Sequence, residues 1–223
     1  MTPPAATDPV KFTPKDWELS SYDYVLPPEA IAARPADRRD GSRLLVHHIV
    51  ADRTEHGRFH EIASHLPAGC TLVLNRSRVF PCRLLGHKPT GGECEAFVLS
   101  LRPRGGLYQV LLRAGGKRRV GETFRFGEVA LTLAELGEEG TFWVRPSIAA
   151  EAFHGFLETH AGIPIPPYIR GGVADERDRS DYQTVYANEA GSVAAPTAGL
   201  HFTPELLEAL RARGHRIAYV TLH

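Results

Sequence analysis

Residues 79–146 read as a run of short strands. Strand formers cluster at 82–85, 96–101, 108–112, 123–126, 129–133 and 141–144. Glycines break the chain between them, at Gly91-Gly92, Gly105-Gly106, Gly115-Gly116, Gly121, Gly127 and 137–140. Short strands at this spacing predict a small barrel or sandwich. The flanks follow a different rhythm. Pro27-Pro28-Glu29 opens a short helix through Ile31, Ala32 and Ala33, which Pro35 stops. Residues 44–50 read as a strand, 59–66 as a short helix and 71–75 as a fully buried strand. Beyond the glycine-rich region, Ser147 is placed to cap a helix with Ile148, Ala152, Phe153, Phe156 and Leu157 on one face, ending near Gly162. Residues 164–168 are extended, because three prolines forbid a helix there.

A last helix starts at Pro204 behind Thr203 as N-cap, buries Leu206, Leu207 and Leu210, and stops at Gly214. Residues 217–222 follow as a strand. The expected fold class is α/β. A mixed α/β domain, 21–78 and 147–223, is interrupted by an inserted small antiparallel β-barrel, 79–146, and preceded by a flexible arm, 1–20. The chain stops at His223 directly after a strand, where an α/β protein places functional loops, so a truncated product is expected.

Composition narrows the class. Of 223 residues, 43% are apolar and 23% charged, ordinary values for a soluble globular protein. No apolar run is long enough for a transmembrane helix, and the Pro-rich N-terminus is not a signal peptide. A cytoplasmic protein is expected, with Cys70, Cys82 and Cys94 as reduced thiols. Net charge is zero but uneven. Residues 76–125 hold eleven Lys and Arg against Glu93, Glu95 and Glu122, a surplus of eight positive charges. Residues 126–160 hold six Glu against Arg145. The basic block is either a polyanion-binding face or one neutralised in space by its neighbour.

Candidate chemistry concentrates late in the chain. From Gly191 to Gly199 nearly every residue is small, and Leu200-His201-Phe202 follows before the Thr203 helix start. Such a loop lets backbone approach a ligand or a neighbouring group closely, and a helix entrance suits an anionic group. Ser192 and Thr197 offer hydroxyls, and His201 is the best general acid or base. Tyr182 and Tyr186, four apart, would share a helix face, lining a pocket or a core. Tyr168 and Arg170 follow a stiff Pro164-Ile165-Pro166-Pro167 stretch that is either a display or a linker. Arg78 and Arg83 flank the junction into the strand-rich region, as ligands for an anion or as solvated hinge residues. His60-Glu61-Ile62-Ala63-Ser64-His65 misses the zinc helix motif by one residue, which turns the two imidazoles roughly 140° apart, and no metal is expected.

Several runs together carry a resemblance. Pro166-Pro167-Tyr168-Ile169, Tyr182-Gln183-Thr184-Val185-Tyr186-Ala187, Gly191 to Thr203 and Val220-Thr221-Leu222-His223 stand in order, behind weaker matches at Tyr24-Val25-Leu26-Pro27 and Arg39-Asp40-Gly41-Ser42-Arg43-Leu44-Leu45-Val46. From about Tyr22 to His223 the chain resembles the S-adenosylmethionine:tRNA ribosyltransferase-isomerases of queuosine synthesis. The resemblance implies an α/β domain with an inserted barrel. It also implies transfer and isomerisation of the ribosyl part of S-adenosylmethionine onto 7-aminomethyl-7-deazaguanine at the wobble position of tRNA. Epoxyqueuosine would form, with adenine and methionine released.

On that basis His201 and Thr197 are the expected catalytic residues, His201 as base for the acidified C5′–H or as proton donor to adenine. Tyr182, Gln183, Tyr186, Ser192, Pro196, Gly199, Phe202 and Thr203 are expected around S-adenosylmethionine, with its methionine carboxylate at the Thr203 helix entrance. Arg78, Arg83, Lys117, Arg118, Arg119, Tyr168 and Arg170 are expected on tRNA. A monomer is expected. Two departures stand out. The family usually has Asn-Asp-Thr-Arg-Val where this chain has Asn75-Arg76-Ser77-Arg78-Val79, and it continues well past Val-Thr-Leu-His. The alternative reading is a noncatalytic tRNA-binding paralogue or an inactive fragment.

Overall fold

Alternating buried and more open positions close the middle of the chain on itself. The computed structural model describes residues 13–222. Of the expected arm, 1–12 lie outside the described residues, as does His223. Residues 13–22 form two exposed 3-10 turns, Pro14–Trp17 and Leu19–Tyr22.

The first regular elements are an antiparallel hairpin, β1 (Arg43–His48) with β2 (Arg53–Arg58), then a one-turn helix, α1 (Ile62–His65). Strand β3 (Thr71–Asn75) and the short β4 (Ser77–Val79) lead to the barrel. The expected helix through Ala33 is only a 3-10 turn, Pro28–Ala30, since Pro35 leaves no room to propagate it. Strand β3 is not fully buried: Leu74 faces the core, but Val73 points to solvent.

Six strands form the barrel: β5 (Arg83–His87), β6 (Glu93–Val98), β7 (Tyr108–Ala114), β8 (Thr123–Phe126), β9 (Val129–Leu136) and β10 (Thr141–Pro146). They pair antiparallel in the closed order β10-β7-β6-β5-β8-β9. Inward positions alternate as the pleat requires, with Leu84, Ala96, Val98, Val110, Phe124, Leu131 and Leu133 almost wholly buried. The β5–β8 seam brings backbones close, and a Cβ on Gly86 would overlap the Arg125 carbonyl there. Helix α2 (Ala150–His160) plugs one end with Phe153, Phe156 and Leu157. Its N-cap is Ala149 rather than Ser147. The Ser147 hydroxyl instead accepts from the Ala130 N–H at 3.1 Å, so Ser147 continues the sheet. Ala152 is exposed, off the apolar face.

The remaining chain returns to the first part. It adds α3 (Asp178–Asp181), β11 (Glu189–Ser192), α4 (Pro204–Ala212) and β12 (Arg216–Val220). Strand β12 lies parallel to β3, Arg216 beside Thr71 and Val220 beside Asn75; β11 lies parallel to β4. Helix α4 drops Leu206, Leu207 and Leu210 onto Phe59, Leu74 and Phe202. The fold is thus mixed α/β with an antiparallel barrel inserted in it. No helix among the described residues is long and apolar enough to cross a membrane. All three cysteines are free thiols; burial in the barrel pushes Cys82 and Cys94 above the usual thiol range.

Candidate functional site

Four stretches of the chain enclose one cavity of about 320 Å³, near the lower limit for small-ligand pockets. They are 32–42, 165–169, 177–182 and 197–201, and the walls are mainly apolar with a few charged groups.

Two arginines from the first stretch tie it to the third and fourth. Arg39 donates to the carbonyls of Ser180 and Gln183, both at 2.6 Å, and of Leu200 at 3.3 Å. Arg34 pairs with Asp175 and Asp178. Arg170 reaches the same two carboxylates at 3.1 and 2.5 Å. Asp178, nearly sealed from solvent, also accepts the Asp175 N–H at 2.7 Å. Two guanidinium groups against two carboxylates leave no net charge in the cluster, which is what makes its partial burial tolerable. The hydrogen bond from Arg34, against some desolvation, holds the Asp175 carboxyl well below the usual carboxylate range. Arg170 sits in the left-handed region at φ 48°, with Gly171 and Gly172 behind it at 64° and 77°. That bend turns the Gly172 carbonyl toward the Arg83 guanidinium.

Thr197 and His201 bound a 3-10 turn, Thr197–His201, which sets both against the cavity. The His201 ring rests on Phe59, centroids 5.2 Å apart, and no described residue hydrogen bonds to its imidazole. Tyr182 forms another wall. Burial raises its phenol above the ordinary value, against the Ala195 N–H that hydrogen bonds to it. Tyr168 stands exposed at the rim.

The other residues expected around the ligand do not line this cavity. Helix α3 ends at Asp181, so Tyr182 and Tyr186 share no helix face and enter separate apolar clusters. Gln183 gives its amide to β4, accepting from the Val79 N–H at 3.1 Å and donating to its carbonyl at 2.5 Å. Ser192 bonds within its own turn to the Ala194 backbone. The Pro196 carbonyl accepts from the Gly199 N–H. Gly199 is small because a Cβ there would overlap the Tyr186 hydroxyl and press on Thr184. Phe202 is core, edge-on to Phe59 at 5.0 Å. The Thr203 hydroxyl caps α4 through the Leu206 N–H at 3.1 Å.

The basic block is partly neutralised, from within and by acids outside it. Arg76 pairs with Glu189, Arg83 with Glu95, Lys88 with Glu122 and Arg104 with Glu135. Arg83 and Arg170 are therefore spoken for by protein groups. Arg118 caps the Ala114 and Gly115 carbonyls and lies over Phe124. Arg78, Lys117 and Arg119 remain exposed. Lys117 and Arg119 sit on the β7–β8 connection, at the barrel end opposite α2, roughly 15 Å or more along the strands from Arg83. The chosen residues thus form no single patch. Sequence reasoning missed Arg34, Arg39, Asp175, Asp178 and Asp181. Only the dense alternation of charge in Asp175-Glu176-Arg177-Asp178-Arg179 signalled part of this cluster.

A family model described as Queuosine biosynthesis protein matches residues 19–223. The chain belongs to the queuosine biosynthesis protein family. Proteins named S-adenosylmethionine:tRNA ribosyltransferase-isomerase are similar to it. That of Magnetococcus marinus is 44% identical over 207 residues, 92% of this chain and 56% of its own. That of Acetivibrio thermocellus is 46% identical over 209 residues, 92% of this chain and 60% of its own. A crystal structure of S-adenosylmethionine tRNA ribosyltransferase from Thermotoga maritima covers 91% of this chain and 57% of its own, at 32% identity and a TM-score of 0.36. The chain therefore spans well under two thirds of the relatives it matches.

Proposed function

We propose that the cavity accepts S-adenosylmethionine and that this chain carries out, or contributes to, transfer and isomerisation of its ribosyl part onto 7-aminomethyl-7-deazaguanine at the wobble position of tRNA. The products would be epoxyqueuosine in tRNA, adenine and methionine. The observation that carries this reading is the convergence of Thr197, His201, Tyr182 and Tyr168 on one cavity in a member of this family. In this reading His201 moves a proton at the ribose C5′ or at departing adenine. Its imidazole is free for that work because no described residue hydrogen bonds to it. Thr197 contributes a hydroxyl one 3-10 turn away. Tyr182 and Tyr168 offer flat surfaces to a base. Exposed Arg78, Lys117 and Arg119 attract tRNA phosphates from outside the cavity. The protein acts as a cytoplasmic monomer.

The test is to incubate the protein with S-adenosylmethionine and tRNA bearing the aminomethyl base, and to measure free adenine. Adenine release that depends on that tRNA supports the reading, and none overturns it. His201→Ala should then lower turnover by about a hundredfold or more with tRNA affinity kept, as for a lost general acid or base.

A further inference from the structure

Asp181 is unlike the other carboxylates of the cavity wall. Asp178 is saturated by Arg34, Arg170 and the Asp175 N–H. Asp37 is exposed to solvent, which satisfies it. The Asp181 Oδ2 is buried and accepts no hydrogen bond. Its nearest cation is Arg177, whose Nε stands at 3.6 Å, beyond hydrogen-bond reach. Arg177 is itself two-thirds exposed and otherwise uncommitted, and both residues line the cavity. Every other guanidinium in the wall is occupied: Arg34 by two carboxylates, Arg39 by three carbonyls. An unbonded carboxylate oxygen beside a solvent-facing guanidinium with no other protein partner, both on one stretch of the cavity wall, is a charge pair that complements a zwitterion.

We infer that Asp181 and Arg177 form the subsite for an α-amino-acid end of the ligand, Asp181 taking the ammonium and Arg177 the carboxylate. The subsite rests on the reading above, in which that end is the methionine part of S-adenosylmethionine. It moves the carboxylate away from the α4 entrance, where the Thr203 hydroxyl is already used and the cavity does not reach. The apolar lining from Pro35, Ala36 and Ile165 suits the methylene groups of the methionine chain.

Calorimetric titration of the full 223-residue chain tests this with three probes. These are S-adenosylmethionine, its deaminated α-keto analogue, and 5′-methylthioadenosine, which lacks the amino-acid end. The wild-type chain should prefer S-adenosylmethionine to the keto analogue by about tenfold or more, the worth of a charged hydrogen bond. Asp181→Asn should shrink that preference to within about twofold, while methylthioadenosine binds as before. Arg177→Gln should weaken S-adenosylmethionine and the keto analogue alike, since both keep the carboxylate, and spare methylthioadenosine. Thermal unfolding of each variant checks that it is folded, and a misfolded variant would weaken all probes together instead of altering their ratio. A preference that survives Asp181→Asn overturns the subsite and leaves the cofactor reading standing. Failure of the wild-type chain to bind either nucleoside overturns both.

Discussion

The barrel and the α/β part use similar residues to opposite ends. In the barrel every strand has two neighbours, and its core contains one large cluster with many side chains wholly buried. In the α/β part the sheets are pairs of strands, the apolar clusters are small, and Val73, Tyr219 and Val220 remain partly open. Closure removes edges and fills the interior, so the barrel has little freedom left to hold a ligand inside. The looser part keeps a cavity because its walls come from four stretches joined by arginines rather than by a continuous sheet. Rigidity and a binding space have been separated along the chain.

Equivalent truncations should expose that difference. Leu131→Ala, in the filled barrel, should cost about 3–5 kcal/mol in urea unfolding, and Leu74→Ala, at the edge of the smaller core, about 2–3 kcal/mol. Equal losses would break the contrast. Gly199→Ala should cost about 1–3 kcal/mol through overlap with the Tyr186 hydroxyl, and adding Tyr186→Phe should recover part of it in a double-mutant cycle. Simple additivity of the two would show that the hydroxyl is not what keeps position 199 small. Thr203→Ala should cost about 1 kcal/mol by uncapping α4.

Titration gives the mildest test. The Asp175 carboxyl is depressed in the folded protein, so its contribution is complete above about pH 4 and lost as pH falls further. Asp175→Asn should flatten that acid limb of a stability curve. Tyr186 acts at the other end. Burial pushes its phenol up to about 12, so its contribution is complete below about pH 10 and lost as pH rises toward 12. Tyr186→Phe should remove the last tyrosinate absorbance change. If wild type and variant titrate alike, the ring is not held in the apolar cluster.

Legibility followed locality. The bounds of residues 71–75 and 123–126 were readable to the residue, because a run of strand formers and the breaks beside it act over a few positions. Thr197 and His201 were visible as polar groups in a loop otherwise stripped of bulk. The failures came where a local rule met a distant partner. Tyr182 and Tyr186 have helical spacing, yet Gln183 between them is drawn to β4 and the helix stops. Small size at Gly199 read as room for a ligand, and the structure fills that room with a tyrosine hydroxyl. Arg34 and Arg39 find their partners 141 to 161 residues away, and no window of sequence carries such a pairing. Opposite charges that cancel across distant segments, as Arg76 does with Glu189 and Arg104 with Glu135, also cannot be seen in a running sum.

The Arg39 contacts carry a consequence for the nascent polypeptide. Apart from the Arg83–Gly162 bridge, the barrel strands pair only with one another, so their strand partners have left the ribosome once residue 146 emerges. Arg39 must wait until Leu200 is made, 161 positions later, before its third carbonyl arrives. Translation therefore delivers the prop long before the pocket, and an early guanidinium stays hydrated until the late loop comes back to claim it.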